Sequence, residues 1–315
     1  SVSGDGALYA SGSIAAVGEY TSPSTDGKGV LASADVVTYE NISSLSEYAV
    51  FDPVSKTYKV GENTAKTVFV ERSAAVASVL AKGSTQAVNY PTFEAALAAA
   101  TAEADGATLT LLRDVDVTGE LEISSGDITI DLNSFTIGDN GVNWDEVTTL
   151  QSAPHLFISR SAKVTFTDNS SDSPGTVLVP IYCNGNSESK LVLERGTFRN
   201  LSELNPIHVE NDASLYISGA TVVEGKHTAV YFTNGGTLNI TGGSFKSEEW
   251  PLMVISGAVN ITGGTFDCLV VVGNGGNMKI SGGIFAALET RNNTAIRTLL
   301  ADGYGLKRSG GSWLT

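Results

Sequence analysis

Three stretches carry the reading: Leu238-Asn-Ile-Thr-Gly-Gly-Ser-Phe245, Val259-Asn-Ile-Thr-Gly-Gly-Thr-Phe266 and Met278-Lys-Ile-Ser-Gly-Gly-Ile-Phe285. Each sets an apolar residue, any residue, a second apolar residue, a glycine turn and then Phe. Working back, the same order fits Leu215/Ile217/Val222, Leu191/Leu193/Phe198 and Ile128/Ile130/Phe135. Val164/Phe166/Val177 fits with six residues inserted. The second apolar residues stand at 130, 166, 193, 217, 240, 261 and 280, spaced by 36, 27, 24, 23, 21 and 19 residues. Two-residue alternation turns one side of each segment inward. A repeat of about 20 residues with a glycine corner predicts a parallel β-helix, whose coils must stack because none buries its apolar face alone. The expected fold class is all-β, a right-handed parallel β-helix of about eight coils over 106–290, the hand following from the rule for parallel crossovers.

Outside the coils the pattern changes. Residues 1–89 lack the repeat and read as a β-rich N-terminal region with turn clusters at 22–27 and 51–53. Its first strand is unusual, because Leu8, Ala10, Gly12, Ile14, Ala16, Gly18 and Tyr20 all fall on one side. That alternation is long against a typical strand. Residues 90–105 predict a capping helix: Thr92 is placed as N-cap, Glu94 complements the dipole, and Phe93, Leu97 and Ala100 form one apolar stripe. A lid there covers strand edges that would otherwise recruit other chains. Residues 291–315 predict a C-terminal cap made of a short helix ending at Asp302-Gly303 and a final strand or hairpin.

Composition narrows the function classes. A net charge of −15 with 19 Lys+Arg against 34 Asp+Glu argues against nucleic acid, which demands clustered cations. It argues equally against docking on an anionic leaflet. No apolar run approaches the length of a membrane span, so direct membrane insertion is not expected. The opening Ser1-Val2-Ser3-Gly4 is compatible with a mature end after cleavage. Cys183 and Cys268, 85 residues or about four coils apart, are expected on the order of 15–20 Å from each other. That is too far for a disulfide, and they read as buried free thiols. His155, His208 and His227 supply no ligand spacing with them, so no metal or other cofactor is expected.

Three segments resemble the opening of β-helix modules in bacterial cell-surface proteins, mostly of anaerobic Gram-positive organisms. They are Tyr90-Pro-Thr-Phe-Glu-Ala-Ala-Leu97, Gly106-Ala-Thr-Leu-Thr-Leu-Leu-Arg-Asp-Val115 and Ile128-Thr-Ile-Asp-Leu-Asn-Ser-Phe135. The Gly-Gly-Thr-Phe rungs and the closing Leu299-Leu-Ala-Asp-Gly-Tyr304 through Ser312-Trp313 resemble the end of such a module. The resemblance covers about residues 85–315 and implies an extracellular setting and a fold distantly like pectate lyases. It does not imply an activity. No sorting motif, cell-wall-binding repeat or dockerin-like segment occurs in these residues.

Pectate-lyase-like β-helices act on polysaccharides across one outer face. The outward positions beside the inner column here are Thr129/Asp131, Thr165/Thr167, Val192/Glu194, Tyr216/Ser218, Asn239/Thr241, Asn260/Thr262 and Lys279/Ser281. Only Asp131 and Glu194 are acidic. Two rungs separate them by about 10 Å, slightly beyond the carboxylate spacing of inverting glycosidases. If the chain is an enzyme, those two are the catalytic candidates. Asp168 to Ser173 offers hard oxygen ligands for calcium but lacks the Glu and fixed Gly of a defined loop, and reads as a solvated turn. The longest insertion, 138–154, carries Trp144 beside Asp145 and Glu146, a candidate glycan contact if the ring is free to stack.

Three function classes remain: a non-enzymatic structural subunit of a bacterial surface assembly, a glycan-binding adhesin, and a polysaccharide lyase or hydrolase. The first is favoured, with the chain itself as principal partner, glycans as a further one, and no nucleic acid. Within it, Leu8, Ala10, Ile14, Ala16 and Tyr20 are expected to line a self-assembly strand that adds to a neighbouring subunit head to tail.

Overall fold

The computed structural model of the chain describes residues 75–147, 149–171, 173–233, 235–290, 296–309 and 312–314, with six short strands before residue 75. Among these residues the chain is a parallel β-solenoid. Each coil contributes up to three strands, and each strand pairs in parallel with its counterparts in the coils before and after.

Face 1 runs through Ala107–Leu111, Asp127–Asp131 and Lys163–Thr167, then through 190–193, 214–217, 237–240 and 258–261. Its inner column is Leu109, Ile130, Phe166, Leu193, Ile217, Ile240, Ile261 and Ile280, all buried. Those eight rungs delimit seven turns. Leu191, Leu215, Leu238, Val259 and Met278 form a second buried column beside it, while Asn239 and Asn260 point outward, the Asn260 amide donating to Asn239 Oδ1 at 3.0 Å. The register read from alternation holds on this face.

Face 2 follows the glycine corner. Its inner column is Val115, Ile137, Val177, Phe198, Val223, Phe245, Phe266 and Phe285. Two positions differ from the sequence reading. Val223 takes the inward place expected of Val222, because a register shift between Leu193 and Arg195 adds one residue to the later coil. Ile137 takes the place expected of Phe135, whose ring packs half-buried at the corner. Face 3 comprises Glu120–Ile123, His155–Arg160, Ile181–Gly185, Ile207–Glu210, Thr228–Phe232 and 250–254. Its inner residues include Ile158, Cys183, Val209, Phe232 and Val254, all buried.

The Gly-Gly-x-Phe corner has two separate physical causes. A Cβ on Gly263 would lie 2.4 Å from the Thr241 carbonyl oxygen, and one on Gly282 would lie 2.2 Å from that of Thr262. The first glycine therefore exists because the previous coil passes too close. The second adopts a left-handed φ, +103° at Gly264 and +118° at Gly283, which costs an L side chain strain. That turn delivers the ring inward, where Phe245, Phe266 and Phe285 pile at 4.7 Å with planes within 6° and 3° of parallel.

Both ends of the stack are closed. Helix α1, Phe93–Ala102, begins at Thr92, whose Oγ1 accepts the Ala95 N–H at 3.1 Å, and buries Phe93, Ala96, Leu97 and Ala100. Ala77–Ala81 pairs antiparallel with both Val88–Tyr90 and Ala107–Leu111. Residues 77–90 thus join the first coil, although the sequence assigns them to the N-terminal region. At the far end, Lys307–Ser309 and Ser312–Leu314 form a hairpin whose second strand pairs antiparallel with Ile284–Phe285. The short C-terminal helix reduces to a 3₁₀ turn over Ile296–Leu299.

Before residue 75, Leu8–Ala10 pairs in parallel with Val30–Ser33, which pairs antiparallel with Thr67–Phe69. Leu8 and Ala10 of the expected self-assembly strand therefore lie at a sheet edge within their own chain. Ile14, Ala16 and Tyr20 lie outside the described residues.

Gly263→Ala is expected to destabilise the solenoid by about 1–3 kcal/mol, since backbone rather than a movable side chain must yield. Gly119→Ala, with nothing within 4 Å of the added methyl, is expected to stay within about 0.5 kcal/mol of the parent. Urea denaturation of the two variants measures the difference.

Candidate functional site

The two carboxylates placed on face 1 by alternation have different surroundings. Asp131 is 6% exposed. Its Oδ1 accepts the N–H groups of Asn133 at 3.1 Å and Asn169 at 3.0 Å, and its Oδ2 accepts the Asn169 amide at 2.9 Å. Asn133 and Ser134 sit at left-handed φ values of 48° and 67°, so this carboxylate stabilises the corner that needs them. Glu194 is exposed two rungs further on. Asp131 and Glu194 therefore share an outer file without converging on a common point, because the hydrogen bonds of Asp131 run back into its own turn and that of the next coil.

Asp168 does the same work one coil later and is more deeply buried, at 2% exposure. Oδ2 accepts the N–H of Ser134 at 2.9 Å and of Gly175 at 2.6 Å, and Oδ1 accepts the N–H and the hydroxyl of Ser170. Burial by itself raises this carboxyl, but the four donors outweigh it and hold Asp168 below the ordinary aspartate range. Arg195 Nη1 donates to the carbonyl oxygens of Asp168 at 3.0 Å and Ser170 at 2.7 Å. The Asp168 oxygens that calcium would need already face N–H and hydroxyl donors, and Asp172 lies outside the described residues. Among the described residues no group of three His, Cys, Asp or Glu gathers as a metal site.

Trp144 lies on a 3₁₀ turn, Trp144–Glu146, half-buried, and its indole N–H donates to the Asp139 carboxylate. Its polar end is held against the loop. Cys183 is a free, fully buried thiol, pushed up to about 11 by burial and only partly offset by Ser189.

Two outer files escaped the sequence reading. On face 2, Glu224 lies between Arg199, with Nε at 3.5 Å, and Lys246, with Nζ at 3.0 Å. Beside it His227 bridges two carboxylates, Nε2 to Glu203 at 2.9 Å and Nδ1 to Glu249 at 3.0 Å, and Lys226 joins Glu203 at 2.6 Å. These pairs are largely exposed, and such pairs contribute little to stability.

The second file is on face 3, where Glu122, Phe157, Tyr182, His208, Tyr231 and Met253 occupy the same outward position on successive coils. Ring centroids follow at 5.6, 4.7 and 4.8 Å from Phe157 to Tyr231. The Tyr182 hydroxyl donates to Glu210 Oε1, which also accepts the Asn184 amide at 2.9 Å. Burial and then this carboxylate push the Tyr182 phenol up to about 12. Burial lowers the His208 imidazole, against the opposing charge of Glu210, whose Oε2 lies 3.4 Å from Nε2 without hydrogen-bond alignment. The signal was present in the sequence: each of these residues stands between two apolar ones, as in Ile181-Tyr182-Cys183 and Ile207-His208-Val209.

No protein-family model, curated protein or solved structure matches the chain.

Asp168→Ala leaves the N–H groups of Ser134, Ser170 and Gly175 without their acceptor and is expected to cost about 2–4 kcal/mol at pH 7. The folded carboxyl lies below its unfolded value of about 3.9, so its contribution is complete above that pH and is lost as pH falls through the folded value. Denaturation from pH 7 to pH 2 is expected to show the gap between variant and parent closing below about pH 4. Cys183 is expected to resist a maleimide in the native state and to label on unfolding, as read by peptide mass mapping.

Proposed function

We propose that the chain is a non-enzymatic, extracellular structural module of a bacterial surface assembly. The observation that carries this reading is the commitment of Asp131: it is the more buried of the two carboxylates a polysaccharide-active enzyme would use, and three donors already occupy it. A general acid or base needs a carboxyl oxygen within reach of the substrate. The ladder of Asn239 and Asn260, the phenylalanine pile and the two closed ends all serve coil-to-coil cohesion, as a load-bearing or spacing rod requires. The extracellular and bacterial parts of the proposal rest on the resemblance of 85–315 to surface modules. Among the described residues no helix is long and apolar enough to cross a membrane.

Self-assembly through the first strand belongs to the same proposal and rests on the alternation of Leu8 to Tyr20. Deleting residues 1–21 is expected to leave a folded protein that no longer associates, as measured by analytical ultracentrifugation beside the full chain. A full chain that stays monomeric at high concentration overturns this part.

Incubation with pectin, alginate, glycosaminoglycans and mucin glycans is expected to release neither unsaturated nor reducing ends. Release that disappears in Asp131→Asn or Glu194→Gln would replace the structural reading with the enzymatic one.

A further inference from the structure

Face 3 carries side chains that the solenoid does not need there. On face 1 the outward positions hold Thr129, Thr165, Val192, Tyr216, Asn239 and Asn260, a file that is polar except at Val192 and has a single ring, itself covered by Lys190 at 4.2 Å. On face 3 four consecutive coils present Phe157, Tyr182, His208 and Tyr231, each half-buried. Three rung intervals make the file about 15 Å long. Phe157 and Tyr182 stack at 18°, but the file does not continue as a parallel pile. The inner phenylalanines pile within 6° of parallel, whereas at His208 the outer planes turn by 66° and 72°. Met253 is buried at one end of the file, and at the other Glu122 accepts the Ser159 hydroxyl at 2.6 Å.

We propose that the file Phe157–Tyr182–His208–Tyr231 binds a neutral, unbranched oligosaccharide lying along the solenoid axis. Saccharides combine apolar C–H faces with hydroxyl groups, and their sites pair aromatic bodies with a few fixed polar groups. Here the polar groups stand on the same coils: Glu210 and Asn184 beside the rings, and Asn211, whose amide reaches Asn184 Oδ1. Charge selects among glycans. Among the described residues of the four strands that carry the file, the one cation is Arg160, exposed at the end of His155–Arg160, while Glu120, Glu122 and Glu210 are carboxylates on this face. Uronates and sulfated chains would meet three carboxylates with Arg160 alone to offset them. A second copy docking face 3 on face 3 would bring the same carboxylates against themselves. This inference is independent of the structural proposal, because a rod that holds glycan and one that does not are equally non-enzymatic.

Isothermal titration of the full chain with cellohexaose, chitohexaose and maltohexaose, with hexagalacturonate beside them, tests the proposal. At least one neutral hexaose is expected to bind with a Kd below about 1 mM. Tyr182→Ala and Tyr231→Ala are each expected to weaken binding by about tenfold or more with the melting transition retained, and Trp144→Ala is expected to leave it unchanged. Should either tyrosine variant unfold, NMR of the unmodified protein gives an independent readout, in which the His208 and Tyr231 ring signals shift on addition of the sugar. Four results overturn the proposal: no neutral hexaose binds, the acidic one binds as well, binding survives loss of both tyrosines, or the ring signals do not move. Self-association abolished by the same tyrosine variants would assign the file to a second copy and overturn it equally.

Discussion

Everything in this solenoid depends on the fixed interval between one coil and the next. Parallel strands in register are held about 4.8 Å apart, and a residue on one coil must accept whatever stands at that distance above and below it. The glycines at 263 and 282 exist because a carbonyl of the preceding coil occupies the place of a Cβ. The phenylalanine pile exists because flat rings fit that interval. Asp131 and Asp168 answer the same constraint in polar form. Where a coil is enlarged by insertion, the corner leaves N–H groups without a strand partner, and a buried carboxylate collects them across two coils. A buried donor left unpaired is costly, so these acids are as structural as the apolar columns.

The sequence carried the inner columns of face 1 well, since alternation alone decides which residues face in. It misplaced Val222 and Phe135, and the reason is local. Period-two reading cannot see a residue added at a corner, and the shift at Leu193/Arg195 is such an addition. The surroundings of Asp131 were hidden for a different reason. Its outward position is legible from Ile128 and Ile130, but the donor Asn169 stands 38 residues away, and its approach depends on how the 168–175 corner folds. Trp144 is legible as a loop aromatic, but its contact with Asp139, five residues back, depends on how the turn between them closes. The aromatic file of face 3 was within reach. It repeats at 25, 26 and 23 residues from Phe157 to Tyr231, whereas the glycine-phenylalanine corner that marks the coils lies on another face.

The three faces divide labour by chemistry. Face 1 turns outward a ladder of amides and hydroxyls, face 2 a string of exposed ion pairs, and face 3 a file of rings with carboxylates beside it. Among the described residues, face 3 is the one that lines up four rings on consecutive coils. The carboxylates that would make face 1 reactive are either bound into turns or isolated.

The closed ends and the in-line register have a mechanical consequence. Interstrand hydrogen bonds of stacked coils run parallel to the long axis, so a pull entering near Ala77 and leaving near Leu314 loads the coil interfaces in series rather than in shear. Such a rod does not rupture at once. It is expected to yield coil by coil, each step of 19 to 36 residues freeing roughly 60–130 Å of contour length at about 3.3–3.6 Å per residue.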